Sequence, residues 1–198
     1  RHHKKLSLLY IDVDNFKSVN DHLGHDVGDL LLSEVAIRLE ASVRKGDFVA
    51  RLGGDEFAVI LSETSEKNAA IVAEKIINHL NKNCVIAGHE MSISVSIGIS
   101  SFIEGGLDYV TLCKNADIAM YKAKELGKNN YQHYDIKIES QYKKRLDIEN
   151  NLGLALHKNE FFLVYQPIYN LHTQKIFGME VLLRWDYPGY GLISPEEF

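Results

Sequence analysis

Residues 48–61 read FVARLGGDEFAVIL, in which two apolar runs flank a pair of glycines and a pair of carboxylates. The runs 48–52 and 56–61 have the composition of β-strands, and Gly53-Gly54 supplies the positive φ angles that a tight hairpin turn needs. We therefore predict a β-hairpin with two acidic residues immediately after its turn.

Strand and helix patterns alternate on either side of this hairpin. Residues 6–11 are a short apolar run that is followed by acidic residues, which predicts a buried strand with polar, reactive side chains at its end. Apolar periodicity predicts helices over residues 26–43, 66–82 and 108–126, a half-buried strand over 91–99 and an edge strand over 131–134. Gly127 stands where a helix C-cap glycine belongs. The order predicts an α+β, ferredoxin-like fold in which helices cover one face of a mainly antiparallel sheet.

The composition changes after Ile136, where charged residues become frequent. An amphipathic stretch predicts a connecting helix over residues 136–159, and strand-like runs over 161–165 and 176–185 follow it. We therefore expect one domain over residues 1–135 and the beginning of a second over 160–198.

The overall composition restricts the classes of function. The chain has 198 residues, 45% hydrophobic content and a formal net charge of -5, which is ordinary globular composition and argues against a nucleic-acid groove. No apolar run is long enough to span a bilayer, so we expect no membrane contact by this segment. The two cysteines form no CxxC pair, which favours a reduced, cytoplasmic location. A phosphate-bearing substrate would need local neutralisation by a metal or by a few lysines.

Two acidic pairs could provide a metal site. Asp12 and Asp14 end the first predicted strand, where side chains two residues apart share a face and can hold a hard cation. In a purely structural alternative, Asp14 caps the next helical turn and Asp12 is merely exposed. If the hairpin lies beside the first strand, Asp12, Asp55 and Glu56 converge, as metal-assisted phosphoryl transfer requires.

Residues 53–57 spell the GGDEF signature of diguanylate cyclases, and the chain resembles that family. The resemblance extends to further motifs on both sides of the hairpin: residues 12–21, Gly24-His25, Gly28-Asp29-Leu30, Ala116-Asp117, residues 119–121, Ala123-Lys124 and residues 127–129. It implies a nucleotidyl-cyclase-type sheet and an enzyme that joins two GTP into cyclic di-GMP as a homodimer. The family's N-terminal helix and D-x-L-T-G-L-x-N-R turn are not found before residue 6, so we expect this segment to be less stable and less active than its parent.

The resemblance implies a role for each matching residue. Mg²⁺ or Mn²⁺ would be bound by Asp12, the Val13 carbonyl, Asp55 and Glu56, with Asp55 and Glu56 catalytic and Asp55 assisting deprotonation of the attacking 3′-hydroxyl. The remaining matches would bind substrate: Asn20 and Asp29 the guanine, and Asn15, Phe16, Lys17, Lys124 and Lys128 the phosphates. A carboxylate suits guanine, which offers N–H donors on its pairing edge.

Lys124 and Lys128 are expected to share one face near the end of a helix, four residues apart. The family usually has arginine at the second position, so Lys128 keeps the charge but loses the bidentate fork. An ordinary solvated lysine face is the alternative interpretation.

Arg44 and Asp47 match the family's RxxD motif, which implies an inhibitory site for the product cyclic di-GMP. The alternative is structural, with Arg44 favouring a helix C-terminus and Asp47 lying in a turn.

Residues 165–168 and 178–185 resemble the beginning of an EAL domain, a cyclic di-GMP phosphodiesterase barrel. Glu180 would be a metal ligand, while Gln166 and Arg184 would contact the substrate. A TIM-like barrel needs about 250 residues, so we expect no phosphodiesterase activity from this segment alone.

Two functions therefore remain open. The chain is either a diguanylate cyclase with product feedback, part of a tandem GGDEF-EAL signalling protein, or a regulatory module that binds GTP or cyclic di-GMP and controls an EAL phosphodiesterase. Intact acids at positions 12, 55 and 56 favour the cyclase.

Overall fold

The secondary structure comprises ten strands, five α-helices and one short 3₁₀ helix within residues 5–102 and 108–198, the part of the chain described by the computed structural model. The strands are β1 (Leu6–Val13), β2 (Phe48–Gly53), β3 (Glu56–Ser62), β4 (Cys84–Ile86), β5 (His89–Met91), β6 (Val95–Phe102), β7 (Tyr131–His133), β8 (Phe161–Asn170), β9 (Lys175–Tyr187) and β10 (Gly191–Ile193). The helices are α1 (Phe16–Leu23), α2 (His25–Ser42), α3 (Glu66–Leu80), α4 (Tyr109–Glu125) and α5 (Ile136–Ala155), with the 3₁₀ turn at Pro195–Glu197.

Five strands form one sheet in the order β2-β3-β1-β6-β7. Every neighbouring pair is antiparallel except β6 and β7, which are parallel. The α+β prediction is therefore confirmed, with a mixed sheet.

Helices cover both faces of the sheet, so the expectation of a single covered face is wrong. Leu9 and Ile11 of β1 pack with buried residues of α2 and α3, whereas Leu8 packs with Leu112 and Ala116 of α4. Helical periodicity shows which side of a helix is apolar, but it does not show which side of a sheet receives that helix. Covering both faces buries most of β1 and explains its nearly unbroken apolar sequence.

The strand predicted over residues 91–99 lies at Val95–Phe102, and Met91 belongs to the separate β4–β5 hairpin. Alternation with serine indicated a half-exposed strand, but the first six residues of β6 are all buried. Ser96 is tolerated there because its hydroxyl donates to Asp14 at 2.7 Å.

The helices α2, α3 and α4 begin and end within two residues of their predicted bounds, but α1 was not predicted. Asn15 precedes α1 in the left-handed region, at φ 60°, and no residue of α1 is buried. The eight residues of α1 are fewer than the window of about 11–18 residues over which apolar periodicity identifies a helix.

The chain divides into two compact units, residues 1–139 and 140–198, so the border falls within α5. In the second unit, β8, β9 and β10 form an antiparallel sheet. Its core contains Trp185, Tyr187 and Ile193 together with Ile148 and Ala155 of α5. The described residues of this unit form no closed barrel.

In residues 5–102 and 108–198, no helix combines the length and the apolar character needed to cross a bilayer.

Gly98 of β6 lies directly beneath α4. A Cβ at this position would overlap the carbonyl oxygen of Ala116 and the backbone nitrogen of Met120. Neither backbone atom can move without displacing the helix, so Gly98 permits α4 to pack closely on the sheet.

Gly98→Ala is predicted to lower the free energy of unfolding by about 3 kcal/mol or more, because α4 must shift away from β6. Urea unfolding followed by circular dichroism measures the change. Gly46→Ala is the matched control, since a Cβ there meets no atom within 4 Å. Equal stability of the two variants would contradict the close packing of α4.

Candidate functional site

The register of β1 and β3 brings two acids to the same end of the sheet. Asp12 lies opposite Glu56, and the Val13 nitrogen donates to the Asp55 carbonyl at 3.2 Å. The hairpin therefore lies beside the first strand, which was the condition for bringing these acids to one end of the sheet. Asp12 is buried, at 7% exposure, and the other two acids are half-buried.

The ammonium group of Lys124 pairs with the carboxylate of Asp12 at the end of β1. Lys124 Nζ lies 2.7 Å from Asp12 Oδ2, and α4 supplies this lysine. Burial raises the pKa of Asp12, while the hydrogen bond and charge of Lys124 oppose the rise. A positive charge is thus held where the carboxylate of β1 would otherwise be buried alone.

Glu56 is held by a tyrosine that the sequence analysis did not select. The Tyr10 hydroxyl donates to Glu56 Oε2 at 3.1 Å. Burial and then the charge of Glu56 raise the pKa of Tyr10 to about 12, so the hydroxyl remains a donor at neutral pH.

Asp117 of α4 is a further acid near this group. Burial first, and the charge of Glu56 second, raise its pKa, while Lys124 opposes the rise. Two simple signals could have identified these residues. Tyr10 lies two residues before Asp12 on the same strand face, and Asp117 lies seven residues before Lys124 on the same helix face.

The three expected metal-binding carboxylates lie at neighbouring strand ends but do not form a closed cluster. Among the described residues, no three His, Cys, Asp or Glu side chains are grouped so that they could hold a metal ion. Asp12 is paired with Lys124, and Glu56 with Tyr10. The oxygen donors nevertheless suit a hard divalent cation, and the Lys124 ammonium already occupies a cation position beside Asp12. The metal-binding role of Asp12, Val13, Asp55 and Glu56 therefore remains a prediction.

Asp14 has a structural role in this arrangement. Its Oδ1 accepts from the Ser96 hydroxyl at 2.7 Å, and its Oδ2 accepts from the Asn129 nitrogen at 3.0 Å. The alternative in which Asp14 caps the next helix is wrong, because Asn15 occupies the N-cap of α1 and no side chain caps it. Asp14 instead fastens β6 and the loop after α4 to the end of β1.

Lys128 does not lie on the same helix as Lys124, which corrects the sequence expectation. The helix α4 ends at Glu125, and Gly127 and Lys128 both have positive φ, at 102° and 63°. Gly127 thus has the predicted C-cap role, and it turns the chain out of helical geometry. Lys128 Nζ nevertheless donates to Asn15 Oδ1 at 2.7 Å, so this lysine reaches the loop between β1 and α1.

A buried hydrogen-bond acceptor without a donor among the described residues lies between α1 and α2. Asn20 Oδ1 is buried and has no hydrogen-bond partner among the described residues. A Cβ on Gly28 of α2 would overlap this oxygen, so the glycine provides its space. Asp29 is exposed on the next position of α2, Lys17 is exposed on α1, and Phe16 is half-buried against the main core.

Arg44 and Asp47 contact each other far from the acids. Arg44 Nε lies 3.3 Å from Asp47 Oδ1, which also accepts from the Ser62 nitrogen at 3.2 Å. The Arg44 guanidinium additionally donates to the Ser62 carbonyl and to the Thr64 hydroxyl. Ser62 and Glu56 are at opposite ends of β3, about 20 Å apart along the strand. Asp47 is thus a buried anchor, whereas the Arg44 side chain remains 61% exposed.

The three residues selected in the second unit lie on one face of the β8–β9 pair. Gln166 is directly opposite Glu180, and Arg184 shares the face of Glu180 because it is four residues further along β9. Gln166 and Glu180 are exposed, and Arg184 is half-buried.

Comparisons with known proteins match both parts of the chain. The family described as "Diguanylate cyclase, GGDEF domain" matches residues 1–130, and the EAL domain family matches residues 149–198. Over 198 residues the chain is 40% identical to the bifunctional diguanylate cyclase/cyclic di-GMP phosphodiesterase MucR of Pseudomonas aeruginosa, covering all of this chain and 29% of that protein. The chain spans between 25% and 29% of the length of the first three curated relatives it matches.

Two solved structures show the same fold. The active GGEEF domain of a diguanylate cyclase from Vibrio cholerae is 34% identical with a TM-score of 0.62, and the match covers 66% of this chain and 83% of that one. The GGDEF domain of DgcB from Caulobacter crescentus, solved in complex with c-di-GMP, is 27% identical with a TM-score of 0.62, covering 66% and 78%.

Proposed function

The chain belongs to the GGDEF family of diguanylate cyclase domains, and from that premise we propose that residues 1–135 bind GTP with Mg²⁺ or Mn²⁺ and join two GTP into cyclic di-GMP. The observation that carries the proposal is the register that places Asp12 opposite Glu56, with the Lys124 ammonium beside Asp12. This arrangement offers paired oxygen donors and a cation at one end of the sheet.

The acids would hold the divalent cation. Asp12, Asp55, Glu56 and the Val13 carbonyl would supply its oxygen ligands, and the chemistry that Mg²⁺ provides in such a site is to offset the charge of the triphosphate. Asp55 would accept the proton of the attacking 3′-hydroxyl. The ammonium of Lys124 would then be free to contact a phosphate, since its partner Asp12 would be neutralised by the cation.

The loop between β1 and α1 and the two helices after it would hold the nucleotide. Asn20 Oδ1 is a buried acceptor without a partner among the described residues, and guanine presents N–H donors that match it. Asp29, one position beyond Gly28, would accept from the same edge of the base. The phosphates would be contacted by Asn15, Phe16, Lys17, Lys124 and Lys128.

A homodimer would complete the reaction. Each domain would hold one GTP, so the two bonds of cyclic di-GMP would form between two facing half-sites.

Product feedback would act at the C-terminal end of β3, where Arg44 and Asp47 contact Ser62. The Arg44 guanidinium is mostly exposed and carries donors suited to a phosphodiester, while Asp47 fixes the backbone around it. We propose cyclic di-GMP as the ligand of this pair. If the Arg44–Asp47 contact is structural instead, substitution of Arg44 would lower the free energy of unfolding.

A regulatory function is the second candidate, because residues 149–198 match the EAL domain. In this case the GGDEF domain would bind GTP or cyclic di-GMP and control an EAL phosphodiesterase, to which Gln166, Glu180 and Arg184 would contribute one face of a substrate site.

Asp55→Asn in the full-length protein is predicted to reduce cyclic di-GMP formation from GTP at least about 100-fold, because the variant loses a metal ligand and a proton acceptor. Chromatography of the nucleotides measures this. Asp186→Asn, at an exposed position of β9, is the control and should leave the rate unchanged.

The same assay separates the two candidate functions. Unchanged GTP with the wild-type, full-length protein would rule out the cyclase. Conversion of cyclic di-GMP to linear pGpG that increases with GTP would then support the regulatory module.

Gly28→Ala is predicted to weaken GTP binding about tenfold, because the new methyl group displaces the Asn20 amide that would accept from guanine. The overlapping atom belongs to a side chain, so the free energy of unfolding should change by less than about 1 kcal/mol. Calorimetric titration with GTP measures the affinity, and Gly46→Ala is again the control. Unaltered GTP affinity in a folded Gly28→Ala protein would contradict the placement of guanine at Asn20.

A further inference from the structure

We propose that Tyr10 is a positioning residue that fixes the Glu56 carboxylate through its hydroxyl group and thereby sets the affinity of this acidic end of the sheet for a divalent cation. The inference rests on the proposed function, since it gives Glu56 a role in metal binding. It adds a residue outside the sequence motifs that identify the family.

The contact follows from strand geometry. Tyr10 lies opposite Ala58 in the β1–β3 register, and Glu56 is two residues before Ala58 on the same face. Diagonal neighbours of this kind are within reach of a long aromatic side chain. The Tyr10 hydroxyl accordingly reaches Glu56 Oε2 at 3.1 Å.

Packing holds the tyrosine ring in place. Tyr10 packs against the small cluster of Leu8, Ala58, Leu112 and Ala116 between the sheet and α4. On its other side Tyr10 is paired with Gly98, where the backbone of α4 lies directly on the strand. A ring fixed by packing places its hydroxyl at a defined point, which is the requirement for orienting a second group.

The hydroxyl leaves part of the carboxylate available. Within the part of the chain that the structure describes, Glu56 Oε2 accepts from Tyr10 and no hydrogen bond is made to Oε1. A carboxylate held through one oxygen can still bind a cation through the other. The charge of Glu56 acts on Asp117 of α4, so the Tyr10 hydroxyl holds this carboxylate beside a second acid.

The residue type is itself informative. Every other position of β1 from Leu6 to Ile11 is aliphatic or serine. Phenylalanine would fill the space between the sheet and α4 equally well, so only the hydroxyl distinguishes a positioning role from a packing role.

Tyr10→Phe tests the inference, because it keeps the ring and removes the hydroxyl. The dissociation constant of Mn²⁺ alone, measured by electron paramagnetic resonance of the free ion, is expected to rise about tenfold. Tyr131→Phe is the matched control, a half-buried tyrosine of the same sheet, and its Mn²⁺ affinity should equal that of the wild type. Circular dichroism establishes that both variants are folded.

A second measurement separates positioning from general damage. If Tyr10 acts through metal affinity, the cyclase rate of Tyr10→Phe should return to the wild-type value at about tenfold higher Mn²⁺. Equal Mn²⁺ affinity in wild type and Tyr10→Phe would overturn the inference and leave the cyclase proposal intact. Absence of Mn²⁺ binding by the wild type would overturn both.

Discussion

The ion pair between Asp12 and Lys124 is the interaction on which the arrangement of this site depends. It joins the end of the central strand β1 to the helix α4 at 2.7 Å. A carboxylate buried this deeply would be costly without a positive partner. The pairing of β1 with β3 then adds Glu56 opposite Asp12, and the close packing of α4 at Gly98 adds Asp117. One end of the sheet thus concentrates three carboxyl groups beside one lysine ammonium, and the unbalanced negative charge suits the divalent cation of the proposed function.

Two glycines show how the sequence serves the fold and the site in different ways. Gly98 lets the backbone of α4 pack on β6, because any larger residue at this position would overlap backbone atoms of the helix. Gly28 instead leaves space for the amide of Asn20, whose oxygen lacks a partner among the described residues. The first glycine is a requirement of packing. The second leaves a buried acceptor unpaired, a cost that natural sites accept when a ligand supplies the donor.

Much of the fold and part of the site could be predicted from sequence. The hairpin followed from its glycine pair, the three long helices followed from apolar periodicity, and the resemblance to both families is confirmed by the matches over residues 1–130 and 149–198. The second covered face of the sheet and the buried serines of β6 could not be predicted, because each depends on tertiary partners. The loop position of Lys128, in contrast, already followed from the predicted C-cap role of Gly127. The sequence places Tyr10 on the strand face of Asp12 and Asp117 on the helix face of Lys124, but it does not show the partner that these two residues share. Their importance arises from Glu56, which approaches both residues only when the strands and α4 are packed together.

The most direct test of this account is a crystal structure of the protein with Mg²⁺ and a non-hydrolysable GTP analogue. In that structure the metal is expected to be bound by Asp12, with the Lys124 ammonium more than about 4 Å from that carboxylate and in contact with a phosphate. The guanine N–H donors are expected at Asn20 Oδ1. An intact Asp12–Lys124 pair with the nucleotide bound elsewhere would contradict the central claim that this pair holds the place of the metal.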